Sequence, residues 1–241
     1  MSKILNAIVT GGSAGIGMSV CQHLLEAGAT VTNIDVNPPN RAEDARYRFI
    51  QADLCDPAAT RDAAARATQS LDVNCLINNA GAPYPADLPD VVDADFERGV
   101  NLHLRAPVIL AQACLPAMKA ARFGRIVNIS SRVILGKKSR TVYSSTKAGM
   151  VGLTRSWALE LGSFGITVNA IAPGPVLTEL FKKNNPPEVA RRLIESAVVG
   201  RAGTPEDIAR AVLFFAAPEN GYVTGQILHV CGGSSLGSAA W

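Results

Sequence analysis

An apolar run, Ile4–Val9, leads directly into Thr10-Gly11-Gly12-Ser13-Ala14-Gly15-Ile16-Gly17, and a helical stretch then ends at Gly28. Glycine lets a backbone turn tightly and approach a ligand closely. The helix that follows such a turn offers unpaired N–H groups and the positive end of its dipole. This suits a pyrophosphate, whereas isolated glycines of this kind also serve plain strand-to-helix packing. Placed after the first strand, the turn predicts a dinucleotide cradle with contacts from Gly11, Ser13, Gly15, Ile16 and Gly17.

The alternation continues along the chain. Further strands are expected at Thr30–Ile34, Arg48–Ala52, Val73–Ile77, Arg125–Ile129, Thr167–Ile171 and Gln226–Val230. Helices are expected from Asp56-Pro57 to about Ser70, Asp93 to Ala121, Val142 to about Gly162, Pro187–Ala197 and Pro205–Ala216. Strand–helix alternation of this kind predicts an α/β fold, a parallel sheet with helices on both faces, and ligands at the carboxyl ends of the strands. The 241 residues are 48% hydrophobic, enough for a sizeable core in one domain, 1–241. Only 5% are aromatic, so the core is expected to consist of Ala, Val, Ile and Leu.

Composition excludes several classes. No apolar run reaches the ~20 residues of a membrane span. Met1-Ser2-Lys3 enters a strand-like stretch without a signal-peptide pattern. Five cysteines, Cys21, Cys55, Cys75, Cys114 and Cys231, form no CxxC pair. They read as thiols of a reducing compartment, with the cytoplasm as the expected location. His23, His103 and His229 are not spaced as metal ligands, so no metal is expected and each reads as structural. Residues 98–159 carry eleven basic and no acidic side chains. Without base-stacking aromatics this does not point to nucleic acid. The plain expectation is pairing with the acidic stretch Asp87–Glu97, in the fold or across subunits.

Asp35 closes the second strand. A carboxylate there accepts hydrogen bonds from adenosine ribose hydroxyls and repels a 2′-phosphate. No cation stands at Ala14 or Val36 to receive that phosphate, so NAD is expected in preference to NADP.

With Asn78-Asn79-Ala80-Gly81 and Tyr143-Ser-Ser-Thr-Lys147 added, the chain resembles the short-chain dehydrogenase/reductase family from residue 4 to about 234. Gly124–Gly174 is similar to 3-oxoacyl-(acyl carrier protein) reductases. The resemblance implies a single-domain, Rossmann-like, doubly wound sheet of about seven strands. It also implies a nicotinamide cofactor, a homotetramer and an Asn-Ser-Tyr-Lys catalytic set: Asn101, Ser131, Tyr143 and Lys147. Tyr143 and Lys147 are four apart on one helix and share a face. A phenol is a poor base at neutral pH, and a nearby cation is expected to favour its ionised form. For the serine, strand register selects Ser131, and counting thirteen residues back from Tyr143 selects Ser130; Ser131 is preferred.

The resemblance also assigns cofactor contacts to Asp53, Leu54, Asn79, Ala80, Gly81, Tyr143, Lys147, Pro173, Gly174, Val176 and Thr178. Substrate contacts fall on Tyr84, Arg132, Val133, Leu135 and Phe181, with Trp241 near the pocket or a neighbouring subunit. Arg132, Lys137, Lys138, Arg140, Lys182 and Lys183 are expected around the mouth, where they would attract an anion. The implied reaction interconverts a small-molecule secondary alcohol and a ketone. A 3-oxoacyl thioester, or a sugar, polyol or hydroxy acid, stands as the alternative substrate. Members that serve only as sensors lose catalytic residues, and here the positions are filled.

Overall fold

The computed structural model describes residues 4–236, so Trp241 lies outside the described residues. Seven strands, β1 Asn6–Thr10, β2 Thr30–Asp35, β3 Tyr47–Gln51, β4 Cys75–Asn78, β5 Gly124–Ile129, β6 Ile166–Pro173 and β7 Ile227–Val230, form one sheet. Its order is β3-β2-β1-β4-β5-β6-β7 and every pairing is parallel. The order reverses between β1 and β4, which opens a crevice at their carboxyl ends.

Eight α-helices connect them among the described residues: α1 Gly15–Glu26, α2 Pro57–Thr68, α3 Asp93–Val100, α4 Ala106–Ala120, α5 Thr141–Leu161, α6 Glu179–Asn184, α7 Pro187–Glu195 and α8 Pro205–Ala216. Side chains alternate across each strand. In β1, Ala7 and Val9 pack with Val20 and Leu24 of α1 and Ile208 and Val212 of α8. Ile8 faces the opposite layer, with Leu110 and Met118 of α4 and Ala63 of α2. Both layers are mainly aliphatic, as the low aromatic content required, with Phe215 buried in one and Trp157 and Phe164 packed against the other. Each fully buried Ile or Leu contributes about 1.5–3 kcal/mol.

Local signals set the helix ends. The Asp56 carboxylate accepts from the N–H groups of Ala58 at 2.7 Å and Ala59 at 3.4 Å, with Pro57 in the first turn. Thr204 and Asp207 form a reciprocal capping box at the start of α8.

Two departures from expectation affect the site. The long helix from Asp93 is interrupted by one wide π turn, Asn101–Arg105, in which Ala106 N–H reaches the Asn101 carbonyl. Pro107 explains it: a proline has no N–H for the carbonyl four residues earlier and its ring crowds it, so the helix widens there. The segment after β6, expected as a loop, contains the short α6, whose N-cap Thr178 accepts from Phe181 N–H at 3.1 Å.

Candidate active site

A cleft of about 630 Å³ runs over the carboxyl ends of the central strands. At one end lies the glycine turn. Gly11 and Gly15 have φ of +66° and +52°, open to glycine at little cost. The turn is stapled to β4: Thr10 Oγ1 accepts from the N–H groups of Asn79 at 2.9 Å and Ala80 at 3.0 Å, and Asn79 Nδ2 donates to the Thr10 carbonyl at 2.9 Å. A Cβ on Gly11 would stand 2.9 Å from Ala80 Cα. Ala14, the residue before α1, supplies no side-chain cap, and the first turn of α1 carries no acidic residue. The N–H groups there remain available to an anion.

Asp35 borders the same end. Its carboxylate accepts from Ser13 N–H and Asn37 N–H, each at 3.0 Å. Asp53 and Leu54 line the cleft beside it, as do Gly11, Gly15, Ile16, Asn79, Ala80 and Gly81. Pro173, Gly174, Val176 and Thr178 form the wall after β6. Ser13 and Gly17 do not line the cleft. Ser13 donates its hydroxyl to the Asn37 carbonyl at 2.6 Å. A Cβ on Gly17 would collide with the Gly11 carbonyl and stand 2.5 Å from Asn79 Nδ2. Gly17 therefore serves close packing behind the turn.

The other end holds Ser131, Tyr143 and Lys147. Lys147 is buried, and its ammonium donates to the Ile129 carbonyl at 2.6 Å. Burial pushes its pKa down to about 7. Its Nζ lies 5.7 Å from the centre of the Tyr143 ring. The Tyr143 phenol was expected to be tuned downward by that ammonium. Instead burial raises it above the ordinary tyrosine value, against the opposing hydrogen bond of Ser131 and the charge of Arg140. The phenol is therefore protonated at neutral pH. Ser131 also accepts from Val133 N–H at 3.3 Å, whereas Ser130 is buried and spends its hydroxyl on the Lys147 carbonyl at 2.8 Å. The strand-register count thus selects the serine beside the tyrosine.

Asn101 does not line the cleft; it is buried, and its Oδ1 has no hydrogen-bond partner among the described residues. His103, two residues on and so on a different helix face, lies against the tyrosine. Its ring meets that of Tyr143 edge-on at 5.5 Å, and a Cβ on Gly81 would lie 3.3 Å from both His103 Nε2 and Lys147 Nζ. His103 Nε2 accepts from Ala82 N–H at 3.1 Å, which leaves the proton on Nδ1, 2.7 Å from Thr146 Oγ1. Burial, and then the Lys147 charge, push its pKa down to about 2. These bonds make His103 a buried, satisfied structural histidine, as expected from the sequence, though one packed on the tyrosine. The only trace in the sequence is Pro107, which marks where the helix register changes.

Tyr84, Arg132, Val133 and Phe181 line the cleft. Leu135 does not: the 3-10 turn Arg132–Leu135 carries it outward, where it is exposed and borders a separate hollow with Arg155 and His229. Of the six expected basic residues, Arg132, Lys137 and Arg140 face the cleft. Lys138 and Lys183 are exposed outside it, and Lys182 pairs with Glu179 at 2.7 Å. The expected pairing of the basic stretch with Asp87–Glu97 is absent among the described residues, where Arg98 pairs with Asp53 at 3.7 Å.

A doubly wound parallel sheet with a cleft at the carboxyl ends of its strands defines a Rossmann-like fold. A family model described as enoyl-(acyl carrier protein) reductase matches residues 11–235. The (2S)-((R)-hydroxy(phenyl)methyl)succinyl-CoA dehydrogenase subunit BbsD of Thauera aromatica is 36% identical over 239 residues, 95% of this chain and 96% of its own. A 3-oxoacyl-(acyl-carrier-protein) reductase of Vibrio harveyi is 35% identical, covering 94% of this chain and 96% of its own. Among solved structures, a blue fluorescent protein from a metagenomic library in complex with NADPH superposes with a TM-score of 0.84 at 33% identity, covering 95% and 97%. The chain belongs to the short-chain dehydrogenase/reductase family, in which it is 3-oxoacyl-(acyl carrier protein) reductase-like.

Proposed function

We propose that this chain interconverts a secondary alcohol and a ketone with NAD(H), using Tyr143 as the acid and base. The observation that carries the reading is the convergence of Ser131, Tyr143 and buried Lys147 at one end of a cleft whose other end is the glycine turn and Asp35. The residues present fit a nicotinamide cofactor. The open N–H groups of α1 suit its pyrophosphate, Asp35 the adenosine ribose hydroxyls, and Asn79–Gly81 with the Pro173–Thr178 wall the remainder.

The bound cofactor supplies or accepts the hydride. In reduction, the protonated Tyr143 phenol gives its proton to the ketone oxygen, and the Ser131 hydroxyl donates a hydrogen bond to the same oxygen as charge grows on it. Lys147 is fixed on the Ile129 carbonyl with Nζ 5.7 Å from the centre of the phenol ring, and its protonated form favours the ionised phenol. The protonated phenol is the donor in reduction and its ionised form the acceptor in oxidation.

NAD is preferred here because Asp35 would meet a 2′-phosphate with like charge; the structural relative bound to NADPH makes the comparison of both cofactors part of the test. A second reading, reduction of a 3-oxoacyl thioester, draws on the Vibrio harveyi relative. We also place the working form as a homotetramer joined along α4, α5 and the β7 edge. Leu159 and Leu228 stand exposed there, and light scattering measures the mass.

The experiment follows NADH and NADPH absorbance with neutral ketones and 3-oxoacyl thioesters. Tyr143→Phe is expected to cost about 10²–10⁴-fold in kcat while leaving NADH binding intact. An unchanged rate overturns the mechanism.

A further inference from the structure

We propose that Arg132, Lys137 and Arg140 form an anion-recognition subsite in the cleft, which takes a compact carboxylate or phosphate group carried by the substrate. The proposal rests on the reading of the Ser131–Tyr143 end as the reacting end.

All three residues lie on the connection from β5 to α5. Its backbone is shaped to turn them inward: a 3-10 turn over Arg132–Leu135, then Gly136 at φ +98° and Ser139 at φ +56°. Ala86 pins the far side, donating its N–H to the Ser139 carbonyl at 3.3 Å and bridging to Arg140. The same turns send Leu135 outward and leave Lys138 exposed.

The three cations have no carboxylate partner among the described residues. Arg132 donates to the Ser234 carbonyl at 2.9 Å, and Arg140 to the Ser139 carbonyl at 2.7 Å. A guanidinium has five N–H donors, so each retains capacity. Lys137 is partly buried and has no hydrogen bond or ion pair among the described residues. Burial lowers its pKa, and the charges of Arg140 and Arg132 lower it further. The carboxylates that line the cleft are engaged elsewhere: Asp35 by two backbone N–H groups, Asp53 by Arg98, and Glu179 by Lys182.

Three like charges gathered in a cleft repel one another and lose hydration, and a bound anion offsets both costs. The cofactor's pyrophosphate has its own place at the glycine turn, so the ligand of this cluster is a different anion. Arg140 is the residue before α5, three positions ahead of Tyr143, and lines the same cleft. Because Lys138, Lys182 and Lys183 stay outside, the charge is a local cluster suited to one small anion.

Four substrates test this: acetoacetate, its methyl ester, acetoacetyl-4′-phosphopantetheine and acetoacetyl-pantetheine. Each pair differs by one anionic group, the carboxylate in the first and the 4′-phosphate in the second. Turnover with NADH is compared across wild type, Lys137→Gln, Arg140→Gln and exposed Lys138→Gln. The expected result is a preference in kcat/KM of about tenfold or more for the anionic member of one pair. That preference should fall about tenfold in the Lys137 and Arg140 variants and persist in Lys138→Gln. Preference for the acid identifies a carboxylate, and preference for the phosphopantetheine ester a phosphate.

The same compounds titrated into Tyr143→Phe with NADH, read by NADH fluorescence, report binding without turnover. Equal handling within both pairs, or a preference that survives Lys137→Gln and Arg140→Gln combined, overturns the subsite. Activity on the neutral ester that still requires Tyr143 shows that the reaction reading stands even then. If NADH does not bind, that reading fails, and calorimetry of acid against ester without cofactor still tests the subsite.

Discussion

Ala82 N–H donates to His103 Nε2 at 3.1 Å, and this bond fixes the neutral form of a histidine packed against both Tyr143 and Lys147. The loop after β4, the π turn and the start of α5 meet at that ring.

The bond has a consequence for stability. The His103 pKa is pushed down to about 2 in the folded chain, against an ordinary value near ~6.5 in the unfolded one. Between those values the unfolded chain binds more protons, so stability is full above pH ~6.5 and is lost as pH falls. The loss is about 1.4 kcal/mol per pH unit. Urea midpoints from pH 7.5 to 5 should show this slope in wild type, and His103→Gln should lack it. The depressed Asp207 carboxyl acts only at lower pH, so it does not mask the effect.

The two neighbouring serines should separate cleanly. Ser131→Ala removes the hydroxyl beside the Tyr143 phenol and should lower kcat by about 10²-fold with little change in melting temperature. Ser130→Ala removes a buried bond to the Lys147 carbonyl and should cost about 1 kcal/mol of stability, with a smaller effect on rate. Steady-state kinetics and thermal melts of both variants decide it.

Asp35→Asn removes the negative charge and keeps one acceptor oxygen, so one of the two bonds from Ser13 N–H and Asn37 N–H is lost. The ratio of kcat/KM for NADPH to that for NADH should rise about tenfold, with a loss of about 1 kcal/mol of stability for the missing bond. An unaltered ratio would leave the NAD preference without a cause in Asp35.

Gly17→Ala places a methyl against the Gly11 carbonyl and Asn79 Nδ2. Backbone cannot yield as a flexible side chain does, so the cost should be about 1–3 kcal/mol or more. Because the displaced atoms hold the glycine turn, NADH affinity should fall with it. Melting curves with and without NADH measure both. Leu135→Ala, by contrast, alters an exposed side chain off the cleft and should leave kcat/KM within about twofold of wild type.

The amino-acid order by itself determined the parallel α/β sheet, since apolar runs alternating with helix-period segments admit few other layers. It likewise determined the glycine turn, Asp35 at the end of β2, and the Tyr143–Lys147 pair, because each depends on local spacing along one element. The choice of Ser131 was legible for the same reason: residue alternation on β5 carries through to the strand's end. What only the tertiary structure decided depends on contacts between distant segments. The contact of His103 with Tyr143 depends on the π turn at Asn101–Arg105, which Pro107 sets in the helix. Leu135 left the cleft while Lys137 entered it because positive-φ turns after β5 set direction independently of residue type. The state of Tyr143 was decided by burial outweighing a nearby cation, and burial is a property of the packed chain rather than of any stretch of its sequence.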